Sequence, residues 1–269
     1  MVNTLAFASS LCKREKTMST HADELKLRLM TIELLRTAKY KRNITYRELA
    51  SKTGLPVTVL SRYAKGHVLP NTARARQLWK VLAKLVGLEV ELRSRIKFDE
   101  DGYFDNTDII GDFNILQQAA NHALANFAGK RVTKILTAAV DGIPLATMVA
   151  NALGVNLILA KRGKEVGVKA FLEETYVLGK DSGVTMTLYI PKEAVKKRDS
   201  VLIVDDMIKT GETQAALVNL VRKTKAEISG VFSLIAVGDE WKKRLKLSGE
   251  CPIEVITYIK APYETGTHL

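Results

Sequence analysis

The 269-residue chain carries 41 Lys and Arg against 29 Asp and Glu, a formal net charge of +12, and 46% of its residues are hydrophobic. That length accommodates two modest domains, each with its own core. No apolar run approaches the roughly 20 residues that span a bilayer, so no membrane partner is expected. Cys12 and Cys251 follow no ligand or disulfide spacing, and the short apolar run at 5–8 precedes its charges, unlike a signal peptide. An intracellular, cytoplasmic protein is therefore expected.

Charge is unevenly distributed. Residues 1–97 hold 20 Lys and Arg against 7 Asp and Glu, a balance of +13, whereas residues 98–269 hold 21 against 22, a balance of −1. A basic first third is the electrostatic footprint of a nucleic-acid-binding domain.

In chain order, residues 1–20 lack pattern and are expected to be a disordered tail, with Met18 an alternative start. From 23 to 40, Leu25, Leu29, Ile32 and Leu35 recur at helical spacing. Several short helices follow between 45 and 85, then one containing Leu88, Val90, Leu92 and Ile96. The acidic, Gly-containing stretch 99–105 marks the boundary. The expected organisation is a tail at 1–20, an all-α domain at 21–97, a linker at 98–108 and a second domain at 109–269. In that second domain, helices at 110–127, 145–153 and 214–225 alternate with apolar runs at 132–140, 155–160, 185–190, 201–204, 231–237 and 253–259. This predicts an α/β fold with a mostly parallel sheet covered by helices.

Within the basic domain, Thr45 and Glu48 have the spacing of a capping box. Ala50 is small where two helices cross, and Gly54 permits a tight turn. Leu55 and Leu60 fill the core, Pro56 suits the first turn of a second helix, and Gly66 can end it. This spacing resembles the lambda-repressor/Cro class of helix-turn-helix domains over residues 23–86. The resemblance implies that the second helix enters the major groove of double-stranded DNA. Val57, Thr58, Ser61 and Arg62 would then face bases, with Tyr46 and Lys65 near phosphates. Arg62 is the candidate for bidentate guanine contact. Such domains read palindromic sites as dimers, so a homodimer is expected.

In the second domain, the apolar run 201–204 leads into Asp205-Asp206-Met207-Ile208-Lys209-Thr210-Gly211-Glu212-Thr213 and then a helix. Backbone N–H groups and the Thr210 and Thr213 hydroxyls at a helix N-terminus can surround a phosphate. Paired carboxylates can accept from vicinal ribose hydroxyls and act with Mg²⁺; they are expected to face solvent at the strand end. The segment resembles the phosphoribosyl pyrophosphate (PRPP) signature of type I phosphoribosyltransferases. The resemblance implies that Asp205 and Asp206 hold the ribose, and Mg²⁺ mostly through the ligand, while Lys209, Thr210, Gly211, Glu212 and Thr213 hold the 5′-phosphate. Upstream, Asp141 and Gly142 lie in a stretch resembling the family's pyrophosphate loop. Lys161, Arg162 and Lys164 resemble the basic loop of the orotate branch.

Departures from the enzyme patterns point toward regulation. Ala160, Val166 and Ala215 stand where the orotate branch carries an arginine, a histidine and a base-reading arginine. Lys209 stands where hypoxanthine-guanine enzymes carry an aspartate, and losing a positioned acid/base typically costs roughly 10²–10⁴-fold. Lys209 is similar instead to the bacterial purine-operon repressors, and archaeal regulators share this domain order. The resemblance implies a transcription regulator of nucleotide metabolism with PRPP or a nucleotide as effector. An active phosphoribosyltransferase, alone or bifunctional, stays open because Lys161 and Lys164 are retained.

Overall fold

The computed structural model describes residues 21–98, 104–127, 130–177 and 183–260. The expected tail and residues 99–103 of the expected linker lie outside that set. The chain divides between Ser94 and Arg95 into two compact units.

The first unit is helical: α1 (His21–Arg36), continued as a π-helical turn (Thr37–Lys41), α2 (Tyr46–Thr53), α3 (Val57–Ala64), α4 (Thr72–Val86) and α5 (Leu88–Arg95). Its core joins Leu34, Leu35 and Ala38 to Leu49, Leu55, Leu60 and Tyr63, and to Leu78, Leu82 and Val86 of α4. Local chemistry fixes the ends. Asn71 Oδ1 accepts from Arg74 N at 2.9 Å and caps α4, and Arg36 Nε donates to the last carbonyl of α3, Ala64 O, at 2.7 Å. The stripe read along α1 is only half used: Ile32 and Leu35 are buried, whereas Leu25 and Leu29 are 40% and 46% exposed. The start of α4 does reach the first turn of α1, where Thr72 Oγ1 donates to Glu24 Oε2 at 3.3 Å, but Leu25 and Leu29 are left outside that contact.

The second unit opens with α6 (Thr107–Ile110) and α7 (Phe113–Phe127), which divide the helix expected at 110–127. Asp112 causes the break. Its carboxylate accepts from Asn114 N at 2.8 Å and Ile115 N at 3.3 Å, capping a new helix start. Then come β1 (Lys134–Ala138), α8 (Gly142–Leu153), β2 (Asn156–Ala160), β3 (Phe171–Val177), β4 (Thr185–Pro191), β5 (Ser200–Ile208), α9 (Glu212–Lys223), β6 (Glu227–Val237), α10 (Glu240–Leu245) and β7 (Ile253–Ile259). β3 and α10 are elements that the hydrophobic pattern missed.

The main sheet is parallel, in the order β2-β1-β5-β6-β7, and β3 and β4 form a separate antiparallel pair. Along β5, Val201 and Ile203 share a core with Leu217, Leu220 and Val221 of α9 and Leu188 and Ile190 of β4. The alternate residues Leu202 and Val204 are also fully buried, on the other face. A strand covered on both faces reads as an unbroken apolar run. From β1 the chain crosses to β2 on one side, and from β4 it returns to β5 on the other. The order therefore reverses between β1 and β5, where open α/β sheets form a ligand crevice at their C-terminal ends.

Candidate functional site

β5 runs four residues beyond the apolar run, so Asp205 and Asp206 belong to the strand and not to the turn after it. The β1–β5 pairing ends at Leu136 and Ile203. β6 continues on the other side, with Asp205 opposite Ser233. One side of β5 is thereby left beside the turn 139–141. Contrary to the expectation of a solvent-facing pair, Asp205 and Asp206 are only 6% and 8% exposed. Asp205 Oδ2 accepts from Gln214 Nε2 at 2.6 Å, and Oδ1 accepts from Asp206 N at 3.2 Å. Asp206 accepts from the Asn106 amide. Burial pushes both carboxyls above the usual range; for Asp205 the Asp206 charge adds to the shift, and for Asp206 the Asp141 charge does.

The loops around the pair are shaped by absent side chains. A Cβ on Gly142 would lie 2.3 Å from Thr137 Oγ1 and 2.5 Å from Asp205 Oδ1, so only glycine lets α8 begin against the carboxylate. The Ala139–Val140 peptide before it is cis, and Asp141 is exposed at the turn. Gly211 adopts φ +81°, and a Cβ there would meet Trp241 Cβ at 2.8 Å. It starts α9, whose first N–H groups have no intrahelical acceptor. Lys209 and Thr210 are exposed beside it. Glu212 is ion-paired with Arg244, and the Thr213 hydroxyl meets the Tyr176 hydroxyl at 3.2 Å.

The lysines of the basic loop are engaged elsewhere. Lys161 pairs with Glu165, while Lys164 pairs with Glu173 at 3.0 Å and sits 4.9 Å over the Tyr189 ring. Lys161, Phe171 and Tyr189 help line a cleft of about 210 Å³ along β2, and neither Asp205 nor Asp206 lines it. Arg162 is exposed between the two lysines. Sequence reasoning missed Asn106 and Gln214, the two amides that hold the pair. Gln214 sits nine residues after Asp205 in the same motif, but Asn106 carries no motif signal. Mg²⁺ suits the donor chemistry, two hard carboxylates, but no group of three or more His, Cys, Asp or Glu among the described residues could hold a metal. A cation held here would complete its shell with ligand oxygens and water.

In the first unit, α2 carries the capping box: Glu48 N donates to Thr45 Oγ1 at 3.2 Å, and Thr45 N to Glu48 Oε2 at 2.7 Å. Gly54 ends α2 at φ +71°. Pro56 stands immediately before α3 and not inside its first turn. Leu55, Leu60 and Tyr63 of this segment are buried, while Val57, Thr58, Arg62 and Lys65 are exposed and Ser61 is half-buried. Tyr46 opens α2 with its hydroxyl 3.3 Å from that of Tyr40 and Lys39 over its ring.

Known proteins resemble parts of this chain. The "Purine biosynthesis transcriptional repressor PurR" of Bacillus subtilis (strain 168) is 29% identical over 134 residues, 50% of this chain and 47% of the repressor. The xanthine phosphoribosyltransferase of Lactococcus lactis subsp. cremoris (strain SK11) is 31% identical over 124 residues, 46% of this chain and 63% of the enzyme. The chain matches about half the length of the repressors among its curated relatives. The crystal structure of adenine phosphoribosyltransferase from Rhodothermus marinus superposes with a TM-score of 0.56 at 25% identity, covering 64% of this chain and 98% of the enzyme. No described helix is long and apolar enough to cross a membrane. The phosphoribosyl transferase domain family matches residues 106–264, well over half of the chain, and this protein belongs to that family with a type I α/β fold.

Proposed function

We propose that the protein is a DNA-binding transcription regulator of nucleotide metabolism, acting in the cytoplasm as a homodimer, whose second unit binds PRPP or a nucleotide with Mg²⁺ as effector. The observation that carries this reading is the pairing, in one chain, of a capped α2–turn–α3 segment, set within the first 97 residues that hold the whole positive excess, with a phosphoribosyltransferase-family unit. The similarity to the Bacillus subtilis repressor supports it.

In this reading α3 lies in the major groove. Val57, Thr58, Ser61 and Arg62 meet base edges, and Lys65 and Tyr46 meet phosphates. In the second unit, the first N–H groups of α9, with Thr210, Thr213 and Lys209, take the 5′-phosphate. Asp206 accepts from ribose hydroxyls, and Asp205, tied to Gln214 and Asp206 N, fixes its position. Gly142 and Asp141 border the diphosphate, and Lys161, Arg162 and Lys164 are the basic side chains toward it. Mg²⁺ would be held by the Asp205–Asp206 pair and the ligand, and would neutralise diphosphate charge. Effector binding changes DNA affinity by a coupling free energy, commonly about 1–3 kcal/mol.

A working phosphoribosyltransferase is the second reading, favoured by the 31% identity to the xanthine enzyme. Two measurements separate them. Anisotropy of a labelled duplex with and without PRPP and nucleotides tests regulation: an affinity change on ligand addition is expected, and none would overturn it. Pyrophosphate release from PRPP with xanthine, hypoxanthine, guanine, adenine, uracil and orotate tests catalysis. Turnover in the normal range of roughly 1–10³ s⁻¹ would favour the enzyme.

A further inference from the structure

The second unit has almost no net charge, yet its cations are not evenly used. Lys161, Lys164, Lys223, Lys242 and Lys243 each pair with a carboxylate. Lys130, Arg131, Lys134, Lys196, Lys197 and Arg198 form no ion pair with a described residue, and all but the half-buried Lys134 are exposed. Hydrogen bonds gather these six residues at one place. Arg131 Nη2 donates to Arg198 O at 3.0 Å, and Thr133 N donates to Ser200 O at 2.8 Å. Lys134 begins β1 opposite Val201 of β5. The cluster therefore occupies the N-terminal end of the parallel sheet. Asp205 lies four residues beyond Val201 along β5, about 13 Å at the usual rise.

The turn that carries three of these cations is fixed. Lys196 N donates to Asp199 Oδ2 at 2.8 Å, Asp199 N donates to Lys196 O at 2.8 Å, and Thr133 Oγ1 donates to Asp199 Oδ1 at 3.0 Å. Burial works against the Asp199 carboxylate, but the Lys196 N–H, the Thr133 hydroxyl and the charges of Lys134 and Arg198 hold it below the usual range. Asp199 is thus turned into the turn beside Lys134 and Arg198; Glu227, whose N–H donates to Asp199 O at 3.0 Å, is an exposed acid at the same end, and the six cations outnumber the two. Buried donors of set geometry, which a small anion needs, are not what this surface offers; it presents several long, exposed cations at a fixed spot. That suits many weak, screened contacts to a repeating polyanion.

We propose that the N-terminal end of the parallel sheet in the second unit is a second contact surface for the DNA backbone, distinct from α3 and from the ligand crevice. It rests on the reading of this protein as a DNA-binding regulator, and it deepens that reading: the phosphoribosyltransferase-type unit holds DNA as well as sensing its effector.

The test uses the full chain and a fluorescein-labelled duplex of mixed sequence, about 30 base pairs or three helical turns long. Affinity is measured by anisotropy from 50 to 200 mM salt. Lys196→Glu with Lys197→Glu and Arg198→Glu should reduce the slope of log K against log salt by about 2–3. The thermal midpoint reports whether the fold is kept. If this triple variant unfolds, Arg131→Gln with Lys134→Gln on the neighbouring strand reads the same surface, with a slope reduced by about 1–2. Arg62→Glu with Lys65→Glu, on α3, is the comparison. An unchanged slope in folded sheet-end variants, while the α3 variant weakens binding, overturns the second surface and leaves the regulator reading standing. A wild-type chain that binds no duplex overturns both.

Discussion

On α3 the polar side chains Thr58, Arg62 and Lys65 reach solvent while the apolar ones beneath them, Leu60 and Tyr63, make the core. In the second unit the polar groups that matter lie inside: Asp205 and Asp206 are strand residues, buried and tied to Gln214 and Asn106. The two arrangements separate function from stability to different degrees. Exposed side chains such as those on α3 can be altered without touching the fold, because they contribute little to folding. A buried acidic pair cannot, because its charge is part of the energetics of the native state.

The largest expected effect breaks the comparison at the buried pair. Asp205→Asn with Asp206→Asn should abolish most PRPP affinity, at about 1.5–3 kcal/mol for each charged acceptor lost. Calorimetry with PRPP and Mg²⁺ reads this directly, and affinity within threefold of wild type would sink the assignment. The same variant should change the pH dependence of stability. The native pair titrates above the usual carboxylate range, so the folded protein binds more protons than the unfolded chain between those values. Its contribution to stability therefore falls as pH rises through that window. Thermal midpoints measured from pH 4 upward should show that loss in the wild type and a flatter profile in the double variant.

Arg62→Ala tests the other side. It should lower specific DNA affinity by about 1–3 kcal/mol while leaving the thermal midpoint where it was, since Arg62 is exposed. Unchanged binding to an operator, or a large drop in midpoint, would remove the distinction drawn between the units.

Gly142→Ala lies between these cases. Its new methyl would meet Thr137 Oγ1 and Asp205 Oδ1 well inside contact distance, and overpacking of this kind costs about 1–3 kcal/mol. Stability and PRPP affinity should fall together, in contrast to Arg62→Ala. A variant with wild-type midpoint and ligand affinity would show that the start of α8 moves freely away from Asp205.

The sequence made some of this legible for physical reasons. Val201–Val204 is apolar at every position because both faces of β5 are covered, and Gly54 is glycine where φ is positive. β3 was hidden because an inward position holds a charge: Glu174 accepts from Asn219 Nδ2 at 2.8 Å and pairs with Lys223 at 2.6 Å. An acid satisfied by a neighbouring helix breaks the period-two pattern that marks a strand. α10 is six residues long, and its buried Trp241 and Leu245 give too short a register to read. The partners of the acidic pair escaped for a different reason. Asn106 lies 100 residues from Asp206, and nothing local announces a contact made by the return of the chain.

The smallest effect expected is at the capping box, where stability alone should respond. Thr45→Ala removes the hydroxyl that accepts from Glu48 N and donates to Glu48 Oε2, and leaves the Thr45 N–H bond to Glu48 in place. Losing an N-cap side chain of this kind costs about 1 kcal/mol, read as a lower midpoint in urea with unchanged slope. The loss should also depend on pH. The Thr45 N–H and then its hydroxyl hold the Glu48 carboxyl below its usual value, so the stabilisation is present above that value and fades as pH falls through the lowered one. The gap between Thr45→Ala and wild type should therefore narrow in acid. Duplex affinity at pH 7, where both proteins are folded, should match, because Thr45 supports α2 from its end and the exposed face of α3 is unaltered. A variant that folds as stably as wild type but binds DNA tenfold more weakly would place Thr45 in the DNA contact itself and not in the cap.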